Sequence, residues 1–335
     1  MSATAGSGEP VLISVYIPFV VTAVVAVLAP VMARRLPPRP AAWALACVAL
    51  VTAAGWAGAL ALLAFTGVAQ IPEIAAEGRW SVTVLQAEDP VYLVVAAGSA
   101  LVLAAGVVSL AVAAVRQVRH LLWARRECAR LPGGLELAVV DDDAPTAFAL
   151  PGAPGRVVVS RGMLRCLGDV ERDALFAHER AHLRGRHHLF QALWRLTAAL
   201  NPMLRPLASA GGFVLERWAD EEAAQRVGDR KAVAHAVGRA ALASTASRRP
   251  VLAVSGGSVP QRVRALLGPP PARRRLPFVA GGLLLVVCCA SLVNAASDSD
   301  QMLDRAQSAH FAAHAATASA PPAEGHRDPA HLPPG

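Results

Sequence analysis

Charge is scarce in this sequence. Only 17% of its 335 residues are Asp, Glu, Lys or Arg, where an ordinary soluble domain carries roughly a quarter. Lysine is almost missing: Lys231 is the only one. The five cysteines form no C-x-x-C pair, which leaves neither a disulfide framework nor a cysteine zinc site. There is no internal repeat, no basic patch interleaved with aromatics and no recognition-helix signature. Direct nucleic-acid binding is therefore not expected, although the net charge is +8 and the pI about 10.2.

What the chain has instead is apolar length. Hydrophobic residues make up 54% and the mean hydropathy is +0.42. Four stretches, at about 11–33, 41–69, 91–115 and 276–296, contain no charged side chain. Each matches or exceeds the roughly 20 residues a helix needs to cross about 30 Å of hydrocarbon. The first follows "MSATAGSGEP", which has no positive side chain, and its apolar core is too long for a secretory signal peptide. The expected fold class is thus an α-helical membrane protein of four transmembrane helices with an α+β domain inserted before the last.

Arginine sets the expected orientation. "RRLPPR" (34–39) joins the first two spans, "RQVRHLLWARRECAR" (116–130) follows the third, and "ARRR" (272–275) precedes the fourth. Basic loops stay on the cytoplasmic side. Residues 116–275 are accordingly expected in the cytoplasm of a multi-pass cell-membrane protein, with both termini outside. Anionic lipid of the bilayer is the expected partner of that charge. The tail, 297–335, is rich in Ala, His, Pro and Ser and is expected to be largely disordered apart from a short helix near 301–316.

Within 116–275 the pattern reads strand, turn, strand, turn, strand over 135–140, 147–150 and 156–160, then helices over about 169–183, 188–200, 212–227 and 232–244. Asp169 is placed to cap the first helix, with Glu171 in its first turn. That helix holds "ALFAHERAHLRGRHH", in which His178, Glu179 and His182 fit H-E-x-x-H. On a helix, residues i and i+4 share a face, so two imidazoles there can hold one Zn²⁺. Glu179 would serve as general base and then as proton donor to the leaving amine.

A catalytic zinc takes a third protein ligand, and the residues leave two completions open. Read onward, "HLRGRHH" gives H-E-x-x-H-x-x-G-x-x-H, with Gly185 as the turn, His188 as third ligand and Met203 as a Met-turn. Read further on, "VLERWADEEAA" places Glu216 and Asp220 one helical turn apart. Glu216 would then be the ligand and Asp220 the acceptor that orients a ligating histidine. His235, Arg217 and Arg230 are candidates to stabilise the oxyanion, with His235 put first.

Several segments together carry a resemblance. "PTAFALPGAPGRVVVSRGML", "ALFAHERAHLRGRHH", "LERWADEEA" and "SVPQRVRALL" follow one another as in the integral-membrane zinc metallopeptidases related to the β-lactam-sensing signal transducers. More distantly the chain resembles the group that includes the prenyl-protein (CAAX) protease and the heat-shock membrane protease. The resemblance implies one Zn²⁺ per chain held by His178, His182 and Glu216, and an endopeptidase acting on a cytoplasmic or membrane-associated protein. A winged-helix transcriptional repressor in a signalling pathway is the first expectation; quality control of membrane proteins and a non-catalytic scaffold are the alternatives. With His188 not a ligand, His187 and His188 are expected to be an exposed or interfacial basic cluster. The chain departs from the transducers in having no S-x-x-K acyl-serine motif, so the covalent β-lactam sensor of that group is missing here. "RVVVS" or "TAFAL" could offer an edge strand to an extended substrate.

Overall fold

The computed structural model describes residues 11–82, 93–131, 136–247, 258–270 and 276–318. The loop beyond residue 82, the basic "ARRR" and the end of the tail lie outside them.

Helices α1 (Val11–Arg35) and α2 (Pro38–Ala69) pack side by side, joined by a two-residue turn. After α3 (Pro72–Gly78), α4 (Leu93–Arg130) packs along α2. Small residues let these helices approach. On α2, Ala41, Ala42, Ala49, Ala53 and Ala59 are all buried, and a Cβ on Gly67 would lie 2.0 Å from that of Ala96 on α4. Outward-facing side chains stay apolar: on α4, Val94, Leu101 and Val108 are 83%, 72% and 62% exposed. A helix that is apolar on its exposed side as well as its packed side is solvated by lipid.

Among the described residues three helices are long and apolar enough to span a membrane: Val15–Arg35, Pro38–Ala69 and Leu93–Arg130. The expected fourth span lies in α11 (Leu276–Ala318), which packs on α1 and α2 but whose qualifying apolar stretch is only Gly281–Ser291. That helix runs on without a break, so the short helix expected near 301–316 is its C-terminal half.

The inserted domain begins with β1 (Leu137–Val140), β2 (Ala147–Leu150) and β3 (Arg156–Ser160). Their order is β1-β3-β2. β3 is central and buried throughout, parallel to β1 and antiparallel to β2, with Ala149 opposite Val157. This leaves "TAFAL", not "RVVVS", at the sheet edge. A short helix α5 (Arg161–Cys166) follows, capped by the Ser160 hydroxyl, which accepts from Met163 N at 3.0 Å.

Helix α6 (Asp169–Arg184) packs on β2 and β3. Its cap differs from the expectation on Asp169. Gly168 occupies the cap position, and the Glu171 carboxylate reaches back to accept from Gly168 N at 2.8 Å. Asp169 is the first helical residue, favourably placed near the positive end of the helix dipole.

Then come α7 (His187–Leu200), a single 3-10 turn at Pro202–Leu204, and α8 (Arg205–Val227). α8 starts seven residues before the expected 212. α9 (Arg230–Ser247) and α10 (Val259–Leu267) close the domain. α8 ties the domain to the membrane helices. Its Arg217 donates to the carbonyls of Ala33 at 2.7 Å, Arg34 at 3.3 Å and Leu36 at 3.2 Å, satisfying the orphan carbonyls at the end of α1.

Candidate metal centre

The site lies where α6 crosses α8. His178 and His182 share one face of α6, with their Nε2 atoms 3.1 Å apart. Glu216 on α8 faces both: its Oε2 is 3.6 Å from His178 Nε2 and its Oε1 is 3.6 Å from His182 Nε2. One donor atom from each of the three lies within 4.8 Å of the others. Two imidazole nitrogens and one carboxylate converging on a point suit a tetrahedral Zn²⁺ with one position left for substrate. Among the described residues this is the only such cluster of His, Cys, Asp and Glu.

The two completions are thereby separated. Gly185 keeps helical dihedrals, and the chain turns at Arg186, which has φ 49°. The turn delivers His187, not His188, to the site. His187 is 1% exposed, and its Nδ1 is 2.8 Å from His182 Nδ1. Its ring packs on Trp218 with centroids 4.6 Å apart. The expectation of an exposed His187–His188 cluster thus fails for His187, because α7 starts there and points its first side chain inward. Gly185 is needed for this: a Cβ there would meet His187 Nε2 at 2.4 Å. Met203 sits in the turn between α7 and α8, 39% exposed.

Asp220, one turn beyond Glu216, is 2% exposed and its Oδ1 lies 3.0 Å from His178 Nδ1, an ion-pair contact. The other grip on Asp220 is one the sequence reading did not single out. Arg262 on α10 donates to both its oxygens, at 2.8 and 2.6 Å, and also reaches Glu216 Oε2 at 2.9 Å. The only sequence signal for Arg262 was that "SVPQRVRALL" belongs to the resemblance. The three oxyanion candidates sit elsewhere. His235 is exposed on α9, Arg217 caps α1, and Arg230 donates to the Leu266 and Ala265 carbonyls at the end of α10. None of the three lines the cavities beside Glu179.

Electrostatics follow from burial and pairing. Burial works against a charge on His178, but the Asp220 and Glu216 carboxylates outweigh it and push its pKa up to about 10. Burial and the His178 charge push His182 down to about 4. Burial, with His182 alongside, pushes His187 down to about 3. Burial opposes the charge on Glu216 and Asp220, yet His178 and Arg262 hold both carboxyls below the usual range. Glu179 goes the other way. It is buried, and burial raises its pKa, while the His178 charge and a backbone hydrogen bond from Ala149 pull it back. A carboxylate tuned upward next to two ligands is what a general base needs.

Cavities open on both sides of Glu179. One, of about 270 Å³, is walled by Met163, Leu175, Val233 and Val237. The other, of about 360 Å³, is walled by His182, His188 and Gln191 together with β2. The edge strand therefore runs beside the cluster.

A sheet edge, an H-E-x-x-H helix and a carboxylate from a later helix, set beside helices apolar enough to span a membrane, are the arrangement of a membrane-associated metallopeptidase. Residues 113–249 match the model of peptidase family M48, and the match supports a metallopeptidase of that family, which includes the CAAX protease and the heat-shock membrane proteases. No curated protein and no solved structure matches. The match thus falls on the more distant of the two groups that the sequence resembles, and it ends before α10 and Arg262.

Proposed function

We propose that this protein is an endopeptidase that hydrolyses an internal peptide bond of a cytoplasmic or membrane-associated protein, with the domain on the cytoplasmic side and α11 as a fourth span. The observation that supports it best is the convergence of His178, His182 and Glu216 beside buried Glu179 and the free edge of β2. Those three residues would hold the zinc, whose Lewis acidity would polarise the scissile carbonyl and the attacking water. Glu179 takes the proton of that water on a carboxylate oxygen and returns it to the departing amine nitrogen. Asp220 and Arg262 hold the ligands: Asp220 orients His178, and Arg262 fixes Asp220 and Glu216 together. The substrate lies extended along β2, adding a strand to the sheet, with one small apolar side chain in the cavity by Met163 and Val233. A winged-helix repressor is the proposed substrate.

The test uses the full chain in proteoliposomes with zinc. A winged-helix repressor and an unfolded membrane protein are supplied in separate reactions, and products are read by mass spectrometry. Internal cleavage by wild type, lost with chelator and in Glu179→Gln, is expected. Cleavage of the membrane protein alone would replace signalling with quality control. Equal product from Glu179→Gln would end the peptidase assignment of that residue.

A further inference from the structure

A cavity of about 660 Å³, with no β2 residue in its lining, lies between the start of α2 and the junction of α6 and α7. Its rim carries Arg39, Arg184 and Arg186, all exposed, against a single acid, Glu222, which Arg184 pairs at 3.4 Å. Two of the three positive charges are therefore uncompensated within the cavity. Its floor is apolar: Trp43, Leu50, Leu189 and Leu193 line it. Trp43 is 58% exposed and Leu189 is 48% exposed, so neither is covered by the fold.

The membrane helices give this cavity a depth. Arg39 opens α2, and Leu50 lies eleven residues further along the same helix. At about 1.5 Å per residue that is about 16 Å, close to half of the roughly 30 Å hydrocarbon core. With α2 spanning the bilayer, the arginines would be at headgroup level, Trp43 at the interface where tryptophan anchors, and the apolar floor would reach toward the bilayer midplane. Guanidinium forks match phosphate oxygens, and basic pockets beside spanning helices hold anionic lipid headgroups.

We propose that this cavity is a binding site for one anionic phospholipid of the surrounding leaflet. The phosphate sits on Arg39 and Arg186, and one acyl chain lies along Trp43, Leu50 and Leu193. Zwitterionic lipid fits the floor but leaves the rim's net positive charge unmatched. The inference does not depend on peptidase activity.

The test reconstitutes the full chain in vesicles containing dibrominated phosphatidylglycerol or dibrominated phosphatidylcholine. Quenching of Trp43 is taken as the difference from Trp43→Phe. We expect phosphatidylglycerol to be preferred about tenfold, and Arg186→Gln alone or Arg39→Gln/Arg184→Gln/Arg186→Gln together to reduce that preference severalfold. The control Arg116→Gln/Arg119→Gln on α4 should leave it unchanged. Retained zinc content shows that the variants are folded. Equal quenching by the two lipids, or the same loss in the α4 control, would overturn the site in favour of general surface attraction.

Discussion

Arg262 and Asp220 meet fork to fork, with Nε 2.8 Å from Oδ2 and Nη2 2.6 Å from Oδ1. The pair is almost wholly out of solvent, the side chains being 11% and 2% exposed. It joins α10, which follows the matched family segment, to α8, which carries the third ligand. Removing one partner of such a pair strands a buried charge, at a cost of about 3–5 kcal/mol. Arg262→Ala should therefore lower the melting temperature sharply and reduce bound zinc. Arg262→Lys keeps the charge but not the fork, and should recover only part of both. Wild-type zinc content and melting in Arg262→Ala would contradict this.

Ligand and base should separate cleanly in metal analysis. His178→Ala, His182→Ala and Glu216→Ala should each lose the zinc, which wild type should hold at about one per chain. Glu179→Gln should keep it while peptide hydrolysis falls by about 10²–10⁴-fold. His188→Ala should keep both. Loss of metal in His188→Ala with retention in Glu216→Ala would restore the other completion.

His187 should matter where His188 does not. With His182 Nε2 holding a metal, the His182 proton would be on Nδ1 and would be donated to His187 Nδ1, 2.8 Å away. His187→Ala removes that acceptor, and zinc affinity should drop by about 10–100-fold, read by competition with a chelator. Unchanged affinity would reduce His187 to a packing role against Trp218.

Zinc binding should release a proton. Without the ion, His178 is protonated up to about 10 and His182 is neutral above about 4, while Glu216 is already ionised. Between those limits one proton leaves His178 for each zinc bound, so affinity should weaken about tenfold for each unit the pH falls. Calorimetry in buffers of different ionisation enthalpy counts that proton directly. A count of zero would mean that His178 is neutral before zinc arrives.

Gly211 tests the packing of α8 on α7. A Cβ there would lie 2.5 Å from the Trp194 ring, which is 1% exposed and fixed in the core shared with the membrane helices. Gly211→Ala should destabilise the protein by about 1–3 kcal/mol, whereas Gly212→Ala, with open space around it, should not. Equal melting temperatures for the two would show that the core yields at that point.

Much of this protein was legible in one dimension. The spans could be read because a lipid-facing helix must be apolar along its whole length. The zinc helix could be read because its ligands lie four residues apart and local geometry puts them on one face. The strands over 147–150 and 156–160 appear where β-branched and apolar runs follow turn residues. Glu216 and Asp220 could be proposed because their spacing is also one helical turn and the resemblance implies a carboxylate ligand on a later helix.

Other features depended on contacts between distant segments. Gly212 read as a helix start, but α8 begins at Arg205 and runs through it, with Gly211 packed against the Trp194 ring. That Glu216 and not His188 clusters with His178 and His182 follows from the turn at Arg186 and the crossing of α6 and α8. His187 looked like one more surface histidine until Gly185 admitted its ring. Arg262 lies 42 residues beyond Asp220 in the chain, and no periodicity links them. The sequence by itself determined which segments are apolar enough to span, which coil into helices and which two histidines share a face, since each depends on neighbours within a turn or two. Only the tertiary structure brought Glu216 and Asp220 onto those histidines and Arg262 onto the two acids, because burial of charge selects partners by proximity in space.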